Sequence, residues 1–393
     1  MHLIFFILSP FLTFLYSCFD LRKRTAQIVF VLFFALFGYC HTFEDMRADS
    51  YRKYEAFNDY AVQEYGDIYD NFRAGEEKDI YEDLLFSTTK LFTDNPHILM
   101  MIVGLFGGFF YMLVVKRFLE DKHMEYTLPI AILLLFLVME SNIPIMGGIR
   151  NFSAFPLFIY STISLLIDNK RIWILGLLLT PLIHFGYIIV VIATIVIWLI
   201  KIPNGVMHYT AVVVCIGSIF LNTSSYERII EATVGNIDNE SIADRVNNYG
   251  EEDTEEHFNE SLTTRLVRVN NQIGALFVAA LLIYIRRNRE RLLASPYTEK
   301  IYHYLLFFII ISYALISFSV VGQRYVYIAL VLLYFLLLNI YQEHRNSAIR
   351  IFIYAMPFVF GIHILWTLYN CYCNTGLDIY YQPLPLLTMQ HVF

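Results

Sequence analysis

Runs of near-continuous Leu, Ile, Val and Phe recur along the chain, separated by short polar breaks and by two long polar segments. A bilayer crossing needs about 20 apolar residues, somewhat fewer when the helix is kinked or shielded by neighbours. Spans are therefore expected near 3–19, 25–41, 96–115, 126–140, 152–167, 172–184, 185–200, 207–221, 272–285, 303–321, 325–341 and 350–368. That makes about twelve, and the expected fold is an all-α, polytopic transmembrane helical bundle. The sixth run is short and contains Pro181, which predicts a kinked or re-entrant segment.

The polar breaks set the expected topology. Short loops that carry Lys and Arg mark the cytoplasmic side. Arg22-Lys23-Arg24, Lys116-Arg117, Lys170-Arg171, Lys201, the run Arg286 to Arg291, and Arg345 with Arg350 fall on alternate loops. Both termini and the remaining loops are then expected outside. The first long outer segment, 42–95, is acidic and rich in Tyr, with patterns for amphipathic helices. The second, 222–271, contains Glu251-Glu252-Asp253-Thr254-Glu255-Glu256 and reads as solvated at its centre. No repeat or separate soluble domain is visible, so 1–393 is expected to be one integral membrane domain. Met1-His2-Leu3 has no basic region before its apolar run, so the first run reads as an uncleaved span.

Composition strengthens this picture. Of 393 residues, 57% are hydrophobic and 16% charged, more apolar surface than a soluble fold of this length could hide. The 34 Phe and 29 Tyr suit aromatic belts at the two interfaces. The net charge of −7 lies mainly in the two long loops, and no basic, aromatic-interleaved patch points to nucleic acid. Cys18, Cys40 and Cys215 lie in apolar runs and read as packing residues. Cys371 and Cys373 are too close in sequence for an unstrained disulfide.

Against this background the charges on the expected outer side stand out: Arg47, Asp49, Arg150, His184, Arg265, Arg268 and Arg324. Ionisable groups beside a bilayer are costly to desolvate and mark substrate paths or reaction centres. Several arginines facing one compartment point to an anionic, phosphate-bearing ligand. Arg47-x-Asp49-x-Tyr51-x-x-Tyr54 follows the second span, where Asp49 and Lys53 are spaced i,i+4 for a surface helix. The same pattern fits a plain solvated interfacial helix.

Glu82, in Tyr81-Glu82-Asp83-Leu84-Leu85-Phe86, could accept hydrogen bonds from sugar hydroxyls or serve as surface charge. Arg150, after Gly147-Gly148, starts the fifth span, where the helix dipole opposes a cation. Its partner is either an anionic ligand or Glu140. His184 ends the Pro181 segment, and a histidine's ordinary pKa suits proton transfer near neutrality; a satisfied structural histidine is the alternative. Arg265 and Arg268 share one face if helical and suit pyrophosphate, or snorkel to lipid phosphate. Gly322-Gln323-Arg324-Tyr325 is expected as a short outer turn that holds a preorganised cation.

Absent motifs narrow the chemistry. There is no G-x-x-x-x-G-K-[ST] phosphate loop, no H-E-x-x-H zinc motif and no G-x-S-x-G elbow. Glu77-Lys78-Asp79 is the one acidic pair with the look of a metal-binding diad, and it lies far into its loop. No metal or other cofactor is therefore expected. A flippase would need charges at mid-membrane and an internal repeat, neither of which is seen. A ligase or another lipid-dependent glycosyltransferase would differ only in acceptor or donor, and an acyltransferase would want a cytoplasmic His motif.

In order, the segment Arg47 to Tyr51, the acid Glu82 ahead of the third span, Arg150-Asn151-Phe152-Ser153-Ala154, the Lys170-Arg171 turn and the hydrophobic segment ending in His184 resemble the EpsG-like, Wzy-type polysaccharide polymerases. The match is best over about 40–200. Arg265, Arg268 and Arg324 correspond by position against the spans. The resemblance implies a GT-C-like architecture in a bacterial cytoplasmic membrane, with the active site facing the periplasm or exterior. It implies polymerisation of repeat units carried on undecaprenyl pyrophosphate into O-antigen, capsule or exopolysaccharide. It also implies membrane lipids and a chain-length regulator protein as partners. In that reading His184, Asp49 and Arg150 are catalytic. Arg47, Tyr51, Tyr54, Glu82, Arg265, Arg268, Arg324 and Tyr325 bind substrate.

Overall fold

The computed structural model describes residues 2–43, 49–75, 79–120, 126–141, 143–200, 202–220, 262–316 and 319–389. Among the described residues there is no strand, and the helices follow the apolar runs. In chain order they are α1 (His2–Leu8), α2 (Pro10–Cys18), α3 (Arg24–Tyr39), α4 (Asp49–Asp59), α5 (Tyr65–Ala74), α6 (Tyr81–Lys90), α7 (Pro96–Glu120), α8 (Leu128–Met139), α9 (Ile149–Thr162), α10 (Ile174–Ile183), α11 (Ile188–Leu199) and α12 (Asn204–Ser218). There follow α13 (Leu262–Arg287), α14 (Arg289–Leu292), α15 (Pro296–Ala314), α16 (Ser319–His344), α17 (Ser347–Val359), α18 (Gly361–Thr375), α19 (Asp378–Tyr381) and α20 (Leu384–Met389). Among the described residues, Pro96–Glu120, Leu128–Ile145, Arg268–Arg287 and Arg324–His344 are long and apolar enough to cross a membrane. The broken pair α17 and α18 adds a fifth if it forms one crossing.

The chain divides into two compact units, unit 1 (Met1–Leu199 with Trp366–Phe393) and unit 2 (Ile200–Leu365). Unit 1 is organised around α3, α7 and α9. Glycine permits the closest of these contacts. A Cβ built on Gly104 would lie 2.8 Å from the Phe34 carbonyl carbon, and one on Gly38 would lie 2.6 Å from that of Met100. Such backbone-on-backbone approach is how helices pack where lipid removes the hydrophobic drive to associate. Gly104→Val should therefore lower stability by about 1–3 kcal/mol through overpacking. Thermal unfolding in detergent reads this, and an unchanged midpoint would mean that α3 and α7 can separate without cost.

Three of the Lys/Arg-bearing segments expected on one side do meet at one end of unit 1. Arg22 donates from Nη2 to the Leu119 carbonyl at 2.8 Å. Arg117 grips Asp168 through Nη2 at 2.7 Å and Nε at 3.0 Å, and Lys170 lies 3.6 Å from the same carboxylate. Asp168 follows a π-helical turn, Ile163–Ile167, that continues α9.

The other end of unit 1 is capped by the first long polar segment, whose described residues form the three helices α4, α5 and α6. Phe57 of α4 is fully buried against Phe86 of α6, with the ring centroids 5.3 Å apart. Tyr54 stacks on Phe43 at 5.0 Å, and Phe43 packs on His97 at the start of α7.

The expected sixth and seventh spans are short helices. α10 has 10 residues and α11 has 12, so at 1.5 Å per residue each falls short of a roughly 30 Å hydrocarbon layer. Both present apolar stripes outward: Leu175, Leu178, Leu179 and Leu182 on α10, and Ile189, Ile192, Val196 and Leu199 on α11. Contiguous exposed apolar surface of this extent suits lipid, not water. Pro181 stands one turn before the break. There His184 is extended (φ −151°, ψ 108°) and the chain turns through Phe185–Tyr187 into α11.

In unit 2, α12 packs on α13 and α15, and α15 on α16. A buried His208–Tyr302 hydrogen bond of 2.7 Å joins α12 to α15. Asn346 caps α17 by accepting from the Ala348 and Ile349 amides. The expected turn at Gly322–Tyr325 is corrected here. These residues are helical, inside α16, and the preceding helix ends at Ala314. Gly322 packs on the Leu315 backbone, where a Cβ would meet the Ile316 Cα at 2.5 Å.

Candidate active site

The site assembles around Arg150, the second residue of α9. Gly147 and Gly148 let the start of α4 come close, because a Cβ on Gly147 would lie 2.9 Å from both the amide nitrogen and Cβ of Ser50. Asp49 and Ser50 thus approach the backbone just ahead of Arg150. From there the guanidinium reaches the segment that opens α6. Its Nη1 lies 3.2 Å from Asp79 Oδ2, and its Nε lies 3.3 Å from Glu82 Oε2. Lys53, from α4, lies 2.5 Å from the other oxygen of Glu82.

The break after α10 completes the cluster. The Ile80 amide donates to the Leu182 carbonyl at 3.2 Å. One residue earlier, the Asp79 carboxylate accepts from the Phe185 amide. Residues 79–80 are thereby spliced onto 182–185, and His184 stands within the splice, its ring centroid 5.8 Å from that of Tyr187. Further polar side chains of the Arg150-Asn151-Phe152-Ser153 segment are engaged as well. Tyr187 donates to Asn151 Oδ1 at 3.1 Å, and the Tyr81 hydroxyl pairs with Ser153 Oγ at 2.9 Å.

Two carboxylates face two cations. The Asp79 side chain is 3% exposed, whereas that of Arg150 is 37% exposed. Burial pushes the Asp79 carboxyl up to about 6; Arg150 and the Phe185 amide oppose the rise, and neighbouring Glu82 adds to it. Arg150 is the accessible face of the cluster and Asp79 its buried base.

Several sequence expectations are placed by this geometry. Glu82 faces Arg150 as a partner. Arg150 pairs with Asp79 and Glu82, not with Glu140. Lys53 pairs with Glu82, while Asp49, exposed at the surface, pairs with Arg52 at 2.5 Å instead of with Lys53. Tyr51 is half-buried beside Tyr54, their ring centroids 6.2 Å apart, and Tyr54 anchors α4 through Phe43. Asp79 is committed to Arg150 and the Phe185 amide; Glu77 and Arg47 lie outside the described residues.

Arg265, Arg268 and Arg324 belong to unit 2. The first two lie in α13 as expected, with the Arg268 side chain exposed and that of Arg265 outside the described residues. Arg324 is half-buried in α16. Tyr325 is 2% exposed, and its carbonyl accepts from Ser312 at 2.7 Å. Its ring is buried in the core of unit 2.

Asp79 and Lys53 are the members that sequence reasoning did not assign to the site. The available signal was spacing: Asp79 and Glu82 are i,i+3 across a helix start, so their carboxylates can converge on one cation.

An all-helical chain with outward apolar stripes and a charged cluster capped by surface helices is a membrane protein with a polar site at one end of its first unit. The chain belongs to the EpsG family, the EpsG-like polysaccharide polymerases, whose family profile matches residues 50–377. That range takes in the whole cluster. No curated protein matches it, and no solved structure does.

Proposed function

We propose that this protein elongates a polysaccharide by joining lipid-linked repeat units on the outer face of a bacterial cytoplasmic membrane, without a metal. The observation that carries the reading is Arg150: a partly exposed guanidinium fixed by two carboxylates, next to a broken helix that bears a histidine. The donor chain is carried on undecaprenyl pyrophosphate. An acceptor hydroxyl attacks the anomeric carbon, the bond from that carbon to the pyrophosphate oxygen breaks, and its electron pair leaves with the pyrophosphate.

Negative charge grows on the leaving group in the transition state. A preorganised arginine stabilises it there more than in the ground state. His184 takes the hydroxyl proton. Tyr51 and the exposed Asp49 line the approach for sugar, while Arg265, Arg268 and Arg324 serve lipid phosphates. About twelve crossings and a GT-C-like architecture are part of the same proposal.

Deletion of the gene followed by glycan electrophoresis tests the reaction. Single-repeat glycans with no ladder are expected; a normal ladder would sink the reading, and complete loss of glycan would move the protein upstream. Sidedness is tested by single cysteines. Asp59→Cys on α4 and Thr254→Cys should react with an impermeant thiol reagent on intact spheroplasts, and Glu290→Cys should not. The reverse pattern would move the substrate to the other compartment.

A further inference from the structure

We infer that an anionic ligand engages Arg150 by counter-ion exchange: it displaces Asp79 from the guanidinium, and Asp79 takes up a proton as the ligand binds. This rests on the polymerase reading for the identity of the ligand, a pyrophosphate ester, and adds how the site admits it.

The argument starts from occupancy. Nη1 and Nε of Arg150 already face carboxylates. A pyrophosphate brought to that guanidinium approaches two fixed negative charges, so like-charge repulsion opposes binding unless one carboxylate is neutralised. The two are not equivalent. Glu82 keeps a second cation, Lys53, at 2.5 Å. Among the described residues Asp79 has no second cation; it has Arg150, the Phe185 amide and the neighbouring charge of Glu82. It is also the more buried, with its side chain 3% exposed against 16% for Glu82. A buried carboxylate that loses its guanidinium keeps the cost of desolvation and loses the charge that offset it, so protonation is its cheapest state.

The charged and titratable groups on the elements around Asp79 are Arg150 on α9, Glu82 on α6, Lys53 on α4, and His184 beside Phe185 in the break. The free carboxyl already titrates at about 6. Ligand binding raises that value further. The sign follows from linkage. The Asp79 contribution to affinity is greatest where Asp79 is already protonated, below about 6, and falls as pH rises above it, by up to about tenfold per pH unit until the raised value is passed.

The test titrates undecaprenyl pyrophosphate into the full chain in lipid nanodiscs by calorimetry near neutral pH. Buffers of different ionisation enthalpy count the protons taken up. Asp79→Asn keeps an oxygen for Arg150 and for the Phe185 amide but cannot ionise. Wild-type protein should take up more protons per ligand than D79N, and the difference cancels the ionisation of the pyrophosphate itself. Glu82→Gln should retain the wild-type excess.

Equal uptake by wild type and D79N overturns the inference. So does uptake by E82Q that falls to the D79N level, which would make Glu82 as much the proton acceptor as Asp79. If D79N does not fold, difference infrared spectroscopy of the wild type decides: binding should produce a protonated-carboxyl band, and its absence counts against the exchange. A cell that makes a normal glycan ladder without the protein would sink the polymerase reading itself. Wild-type binding with no excess proton uptake would sink the exchange alone.

Discussion

Arg150→Lys is expected to slow chain elongation on the order of 10²-fold, although it keeps the positive charge. The guanidinium presents Nη1 to Asp79 and Nε to Glu82 at 3.2 and 3.3 Å. In the ligand-free site this fixes the plane of the fork. A lysine ammonium is a single point on a flexible stem. It can sit near Glu82, but it cannot hold that carboxylate and also present a planar, bidentate edge to phosphate oxygens once Asp79 is displaced. About 2–3 kcal/mol of transition-state stabilisation is the expected loss.

The measurement is elongation of a synthetic lipid-linked repeat by purified enzyme in lipid, with donor binding followed in parallel. Binding should fall less than rate, because the leaving pyrophosphate gains charge after the ground state. A lysine variant that elongates at the wild-type rate would reduce Arg150 to a generic interfacial charge, and the cluster would then be a structural ion-pair network.

How much of this could be read from the sequence differs between the levels of structure. Helix positions were legible because apolar runs and polar breaks are local signals; helices cover the runs, although two of them share 3–19 and two share 350–368. Arg150 and Glu82 were legible as types: a cation where the helix dipole disfavours one, and an acid just ahead of a span. Which group faces which was not legible. Asp79 and Arg150 are 71 residues apart, and their meeting depends on the splice of 79–80 onto 182–185, which no local pattern encodes. The i,i+4 pairing of Asp49 with Lys53 was a fair reading of a helix in isolation. Packing overrode it, because Phe57 buried against Phe86 brings Lys53 to Glu82 and leaves Asp49 to Arg52. The turn expected at Gly322 failed for a related reason. A Gly followed by polar residues signals a loop, yet here the glycine lets the helix start pass the Leu315–Ile316 backbone, and the chain had already turned.

His184→Gln is expected to bind the lipid-linked donor as the wild type does and to turn over about 10²- to 10⁴-fold more slowly, the usual contribution of a general base. The case rests on position. α10 ends at Ile183 with His184 as its extended C-cap, and the residue that follows gives its amide to Asp79, the counter-ion of Arg150 in the ligand-free site. In the ligand-free site the imidazole is therefore held, through one backbone step and one carboxylate, near the group proposed to receive the leaving charge. Glutamine matches the side chain in polarity and hydrogen-bonding capacity but cannot take a proton. A folded His184→Gln protein with an unchanged thermal midpoint, normal donor binding and no ladder would separate proton transfer from packing. A variant that produces a wild-type ladder would remove His184 from the chemistry. Asp49 would then be the next base to test: it is exposed and stands beside Gly148 at the head of α9, and Asp49→Asn in the same assay would decide between them.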